Sequence, residues 1–148
     1  MNTRSRNYLK TQVETASKPQ LLIMLFDGAI RFTERAKCEL DSNNYEGSHA
    51  SFVRAQRIMV ELISALDESQ IPDDLYRNLT GLYGFVYRSL VSANVERSSA
   101  PAGEALQILR HLRETWTLAV EKMDPEVRRQ VVAGTVVAGR HQSLSVQG

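Results

Sequence analysis

A charge excess, cysteine pairs and long apolar runs are all missing from this sequence. Eighteen Lys and Arg residues stand against 17 Asp and Glu, and a net charge of +1 gives no general attraction to nucleic acid or to an anionic membrane. The single cysteine, Cys38, excludes an intrachain disulfide and fits a reducing compartment. The longest apolar runs, such as LLIMLF, are too short to span a bilayer, and the start MNTRSRNYLK has no secretory-signal core. We therefore expect a cytoplasmic protein.

Sequence motifs of catalysis and cofactor binding are missing too. No glycine-rich phosphate loop, HExxH or CxxC occurs, and His49, His111 and His141 share no metal-ligand spacing. Cys38 has no candidate base beside it in sequence, which predicts an inert, partly buried thiol. We accordingly predict no catalytic residue, no cofactor and no metal, and a protein that is not an enzyme.

What the sequence does contain is amphipathic helix. The 148 residues are 43% hydrophobic and 24% charged, which suits one domain with one core. Apolar residues recur at spacings of three and four in four stretches, and no stretch alternates for long enough to be a strand. The four stretches are residues 17–40, 45–66, 73–96 and 103–123.

Capping and helix-breaking residues separate these stretches. Ser17 with Gln20 forms one predicted capping box, and Asn43 with Glu46 forms a second. Residues 98–103 contain a proline and a glycine and are predicted to be a loop. Connections this short make consecutive helices antiparallel neighbours.

These patterns predict an all-α fold, namely an antiparallel, up-down-up-down four-helix bundle. The bundle is expected to occupy residues 17–123. An N-terminal arm precedes it over residues 1–16, and a flexible tail follows over residues 124–148. The arm is expected either to cover an apolar groove and move when a partner binds, or to be a permanently docked or disordered terminus.

The predicted core consists of one apolar stripe from each helix. On the third helix the stripe includes Leu75, Leu82 and Tyr83. On the fourth helix it includes Trp116 and Ala119. Truncating a fully buried Trp116 is expected to cost about 3–5 kcal/mol of stability.

Every helix also has apolar residues outside its core stripe. A binder of amphipathic helices needs a second apolar surface of this kind, although single exposed apolar residues are also common on soluble proteins. We predict that Tyr8 and Leu9 of the arm contribute to partner binding as well. The off-stripe residues predicted to bind a partner are Met24, Val53, Val60, Phe85 and Leu118, with Tyr87 at their edge.

Four segments of the chain match, in order and spacing, motifs of one known protein family. The first is segment 8–32, YLKTQVETASKPQLLIMLFDGAIRF, and the others are RAQRIMVELISALD at 54–67, LYGFVYRSLVSAN at 82–94 and LRETW at 112–116. Together these segments resemble the FliS family of flagellin export chaperones. Phe26 stands where a tyrosine is common in the family, Gly84 stands where a polar residue is usual, and the proline after Ser17 is shifted by one position.

The resemblance implies a function that the residue patterns alone do not give. Proteins of this family are antiparallel four-helix bundles that bind the disordered C-terminal region of flagellin. Binding prevents premature polymerisation and delivers flagellin to the flagellar type III export apparatus, without catalysis. An export-gate component and flagellar regulatory proteins are further partners that the resemblance implies, whereas nucleic acid and membrane insertion are not expected.

Two other function classes stay open from the residues alone. An exposed helical histidine, His111, is compatible with a phosphorelay bundle, although nothing around it forms a relay motif. A structural homo-oligomer would bury the outer apolar residues by self-association. Gly28 likewise has two interpretations, namely close approach of another chain or tight packing within the bundle.

Overall fold

The computed structural model describes residues 6–7 and 18–122 of the chain. Residues 18–122 form four helices and no strand, which confirms the all-α prediction. The predicted tail and nearly all of the predicted arm lie outside the described residues. The helices are α1 (Lys18–Asp41), α2 (Tyr45–Ser64), α3 (Asp73–Glu96) and α4 (Ser99–Glu121).

The chain divides into two compact units, and the larger one, Leu25–Arg113, includes parts of all four helices. The other unit combines Met1–Met24 with Glu114–Gly148. In the described part of that second unit, Ile23 and Val120 are buried together as an apolar cluster.

Side-chain contacts within the larger unit show that α2 runs antiparallel to α1 and that α3 runs antiparallel to α2. Ser51, near the start of α2, donates its hydroxyl hydrogen bond to Glu39, near the end of α1, at 2.7 Å. At the other side of α2, the amide nitrogen of Asn94, near the end of α3, lies 2.9 Å from Nδ1 of His49, near the start of α2.

The contacts of α4 with α1 close the bundle. Arg110 of α4 pairs with Glu34 of α1, and Arg113 pairs with Asp27. Residue numbers rise along α4 as they fall along α1, so these two helices are antiparallel as well. The predicted up-down-up-down four-helix bundle is therefore confirmed.

All four helices contribute fully buried side chains to the core of this unit. Phe26 of α1 and Tyr83 of α3 meet edge to face, with ring centroids 6.0 Å apart and an interplanar angle of 66°. Removal of this much apolar surface from water is the main driving force for packing the helices. The other core residues with 0% exposure are Ala29, Ala36, Phe52, Ala55, Met59, Leu62, Val86, Leu90, Ala93, Ala102, Ala105 and Leu109.

Several residues predicted for the core are not buried. Leu75 is 46% exposed because it lies in the first turn of α3, and Leu82 is 39% exposed. Leu82 lies about 60° around α3 from the centre of the buried row, at about 100° per residue. In α4, Ala119 is exposed and Trp116 is half-buried, so the premise of a fully buried Trp116 was wrong.

Two predicted helix starts are also corrected. Asn43 adopts the left-handed conformation (φ 57°), which asparagine tolerates, and Asn44 instead caps α2 by accepting from the backbone N–H of Gly47 at 3.0 Å. The predicted loop at residues 98–103 is largely helix, because α4 begins at Ser99. Pro101 is accommodated there since the first-turn N–H groups of a helix have no acceptor within the helix.

Candidate partner-binding surfaces

Residues 26–29 of α1, the most distinctive part of its sequence, face inward rather than toward a partner. Phe26 is fully buried against Tyr83 of α3, and Ala29 is fully buried as well. A Cβ placed on Gly28 would lie 3.0 Å from Cδ1 of Ile58 on α2. Gly28 therefore serves tight packing within the bundle.

Asp27, between these buried residues, is held by α4. Its Oδ1 accepts a hydrogen bond from Nε of Arg113. Both side chains are sheltered, with 15% of the Asp27 and 28% of the Arg113 side chain exposed. Phe26, Asp27 and Gly28 thus contact three different helices, and this segment fixes the bundle.

The side of the bundle between α2 and α3 has a different character. His49 and Asn94 are in contact across it. Because α2 and α3 are antiparallel, a residue that follows His49 by a given number of positions lies level with the residue that precedes Asn94 by the same number. Tyr87, seven residues before Asn94, is therefore level with Gln56, seven residues after His49. That position lies between Val53 and Val60.

Helix geometry shows which side chains share this side. Val53 and Val60 lie within about 40° of His49 around α2, at about 100° per residue. Tyr87 lies within about 20° of Asn94 around α3 by the same measure. Because His49 contacts Asn94, these side chains line one groove. We call this set the α2–α3 groove: His49, Val53, Val60, Tyr87 and Asn94.

The α2–α3 groove is open to solvent, with the polar pair His49–Asn94 at one end and apolar side chains beyond it. Val60 is 49% exposed, Val53 and Tyr87 are half-buried, and Gln56 lies between the two valines. Aliphatic side chains next to a phenol suit the apolar face of a helix whose polar groups remain in water. This groove brings together three of the residues predicted to bind a partner, Val53, Val60 and Tyr87.

Phe85 lies on another side of α3. Two residues along a helix correspond to about 200°, which places Phe85 about 160° away from Tyr87. Phe85 is 40% exposed, and next to it a Cβ placed on Gly81 would meet no atom within 4 Å. The residues predicted to bind a partner are therefore divided between at least two surfaces of the larger unit.

The remaining predicted residues fall elsewhere. In the second unit, Leu118 is 52% exposed and Met24 is half-buried. Tyr8 and Leu9 lie outside the described residues. The larger unit also has a side chain that the sequence reasoning missed, because Val95 is 77% exposed. Its off-stripe position near the end of α3 is the signal that could have identified it.

A basic and aromatic cluster between α1 and α2 was also missed. Arg31 and Arg54 place their guanidinium carbons 5.3 Å and 5.4 Å from the ring centroid of Phe32. Both cations are exposed, so they shield the half-buried ring from water. Arg31 directly precedes Phe32 in the sequence, whereas Arg54 joins the cluster only through the tertiary approach of α2 to α1.

The part of the chain that the structure describes gives findings on metal binding, on membrane spans and on the two reactive side chains discussed above. No group of three or more His, Cys, Asp or Glu side chains there is placed to hold a metal ion. None of the described helices is both long enough and apolar enough to cross a membrane. His111 is exposed on α4, as predicted. Cys38 is exposed on α1, so the prediction that its thiol is partly buried was wrong.

The fold and these surfaces define a class: a four-helix bundle with an apolar surface as its candidate partner-binding site. Comparison with known proteins gives the family. The family model described as flagellar protein FliS matches residues 1–123. The chain belongs to the FliS family.

Individual relatives agree with this assignment. The flagellar secretion chaperone FliS of Escherichia coli (strain K12) is 29% identical over 108 residues, which cover 73% of this chain and 79% of that protein. The flagellar secretion chaperone FliS of Bacillus subtilis (strain 168) is 25% identical over 114 residues, 77% of this chain and 84% of that protein. The flagellar secretion chaperone FliS of Campylobacter jejuni (strain 81116) is 29% identical over 109 residues, which cover 74% of this chain and 84% of that protein.

Proposed function

We propose that this chain is a cytoplasmic export chaperone for flagellin, acting by binding and not by catalysis. It covers the disordered C-terminal segment of flagellin, prevents early polymerisation and presents the subunit to the flagellar type III export apparatus. The observation that carries the proposal is the family match over residues 1–123. The relatives from Escherichia coli and Bacillus subtilis, both named flagellar secretion chaperones, support the same proposal.

The physical requirement for such a chaperone is a surface that substitutes for filament contacts. A disordered segment that later becomes amphipathic helix exposes periodic apolar residues, which aggregate unless they are covered. The α2–α3 groove offers Val53, Val60 and Tyr87 for that purpose. A helix bound there would lie along two existing helices and extend the bundle.

One groove is too small to be the whole site. Folding of a disordered segment on binding costs about 2–5 kcal/mol or more of the contact energy, and such interfaces bury roughly 1,000–3,000 Å². We therefore propose that flagellin also contacts the other predicted residues, on additional surfaces of the chain. These residues are Tyr8, Leu9, Met24, Phe85 and Leu118.

Further partners follow from the same function. An export chaperone has to meet the export machinery, so an export-gate component is a second proposed partner, and flagellar regulatory proteins are a third. Nucleic acid is not among the proposed partners, because a net charge of +1 gives no general attraction to it.

A direct binding experiment tests the proposal. The full chain is titrated calorimetrically with the C-terminal segment of flagellin from the same bacterium, and with the N-terminal segment as the matched control. We expect saturable 1:1 binding of the C-terminal segment, a gain of helix in circular dichroism, and a negative heat-capacity change. Absence of binding to the C-terminal segment, or equal binding of both segments, would contradict the proposal.

A further inference from the structure

One exposed side of α3 carries charges in a self-complementary order. Asp74, Arg77, Phe85 and Arg88 all lie within about 40° of Gly81 around the helix, at about 100° per residue. We call these five residues the α3 outer face. The Asp74 and Arg77 side chains are 96% and 77% exposed, and Phe85 is 40% exposed.

The spacing along this face is symmetric about Gly81. Asp74 lies seven residues before Gly81 and Arg88 lies seven residues after it, while Arg77 and Phe85 lie four residues before and after. If the α3 helices of two copies run antiparallel with a two-fold axis at Gly81, Asp74 of each copy lies level with Arg88 of the other. Arg77 of each copy then lies level with the ring of Phe85 of the other.

The contacts within one chain leave these groups available. Within the described part of the chain, the one ion pair of Asp74 is with Arg77 of its own helix, at 3.5 Å. Among the described residues Arg88 has no ion-pair partner, and its guanidinium lies back along α3, 3.1 Å from where a Cβ of Gly84 would be. An antiparallel second copy would give Arg88 a carboxylate and Phe85 a cation at its ring face.

The centre of the face allows close approach. Glycine in a helix interior is unfavourable relative to alanine, and the bundle itself does not require it at Gly81, since a Cβ there would meet no atom within 4 Å. Two glycines at a helix crossing let the backbones approach, which brings the flanking side chains of both copies into reach.

We propose that a second copy of this chain docks on the α3 outer face, antiparallel and with Gly81 at the two-fold axis. The pair is isologous, so each contact occurs twice. One helix-to-helix contact belongs to the class of small interfaces, below about 1,200 Å², and gives a transient dimer. The α2–α3 groove lies on a different side of α3, so both copies keep it accessible. Phe85 is shared, because it is also a proposed flagellin contact, so a second copy and flagellin compete for that one residue.

Reciprocal charge reversal tests the register of this dimer. In sedimentation equilibrium of the full chain, Asp74→Arg and Arg88→Asp each place like charges opposite one another, and each should weaken self-association at least tenfold. In an equimolar mixture of the two variants both contacts become attractive again. We expect the mixture to form a heterodimer with an affinity within about threefold of the wild-type dimer. A tenfold change in affinity corresponds to about 1.4 kcal/mol of binding free energy.

Matched controls separate this register from general charge effects. Asp73→Arg makes the same change in the same turn of α3 but outside the face, and Arg57→Asp does so on α2; both should dimerise like wild type. Gly81→Arg should fold, because the space beside Gly81 is open, and should be monomeric. A wild-type chain that stays monomeric at millimolar concentration, a mixture no stronger than its components, or equal effects of the controls would overturn the proposal.

Discussion

The segment 26–29 of α1 and the α2–α3 groove both contain apolar side chains, but these side chains meet different demands. Phe26 is fully buried, and a Cβ placed on Gly28 would lie only 3.0 Å from Cδ1 of Ile58. Each of these positions therefore accepts very few residue types. Val60 is 49% exposed, so packing within the bundle does not restrict its shape, and the proposed binding function requires only an apolar side chain there. The comparison teaches that the most recognisable motif of the chain encodes the scaffold, while the proposed binding function rests on residues with weaker sequence signals.

The largest expected effect is on the scaffold side of this comparison. Phe26→Ala removes a fully buried ring that packs edge to face on Tyr83. We expect the free energy of unfolding to fall by about 3–5 kcal/mol, from lost burial and the cavity that remains. Urea unfolding followed by circular dichroism measures this. A loss below about 1 kcal/mol would show that segment 26–29 does not fix the bundle.

An intermediate effect is expected from the ion pair beside Phe26. Asp27→Ala leaves the sheltered guanidinium of Arg113 without this partner, and we expect a loss of about 1–3 kcal/mol. Glu34→Ala is the matched control, because its pair with Arg110 joins the same two helices but is exposed, with 48% of the Glu34 and 58% of the Arg110 side chain accessible. Its loss should stay below about 1 kcal/mol. Equal losses in urea unfolding would contradict the role assigned to burial.

The two helical glycines sharpen the comparison further. Gly28→Val forces a branched side chain against Ile58 and should destabilise the bundle by about 1–3 kcal/mol. Gly81→Ala meets no neighbour and should stabilise α3 by up to about 1 kcal/mol, the smallest effect of the series. Thermal melts at low protein concentration, where dimers are absent, measure both. A stabilising Gly28→Val would mean that Ile58 moves aside freely.

Periodicity was sufficient to predict the helices because each one buries a single stripe. The bounds of α3, Asp73–Glu96, are as predicted. The start of α4 was missed because Pro101 was interpreted as a loop residue, whereas a proline in the first turn breaks no intrahelical hydrogen bond. Asn43 and Asn44 are both good capping residues, and only the left-handed conformation of Asn43 decides between them.

The candidate surfaces were predicted less completely for a physical reason. The exposure of Val60, Phe85 and Leu118 follows from their positions on single helices, and the structure confirms it. That Phe85 and Tyr87 face different sides also follows from single-helix geometry. The pairing of Val53 and Val60 with Tyr87 depends instead on the His49–Asn94 contact, which joins residues 45 positions apart. Long-range contacts of this kind leave no periodic trace in the sequence.

Binding by a groove variant tests most directly the claim that scaffold and binding residues are separate. Val53→Lys with Val60→Lys changes both valines of the α2–α3 groove, and Val95→Lys makes the same change at a side chain that is 77% exposed and lies outside it. Each full-length protein is titrated with the C-terminal segment of flagellin in a calorimeter and melted separately.

We expect the groove variant to bind at least tenfold more weakly, a loss of about 1.4 kcal/mol or more, while Val95→Lys binds like wild type. Both proteins should melt within about 4 °C of wild type, which corresponds to less than about 1 kcal/mol for a domain of this size. A groove variant that melts normally and binds with wild-type affinity would contradict the account, because the α2–α3 groove would then not be the flagellin site.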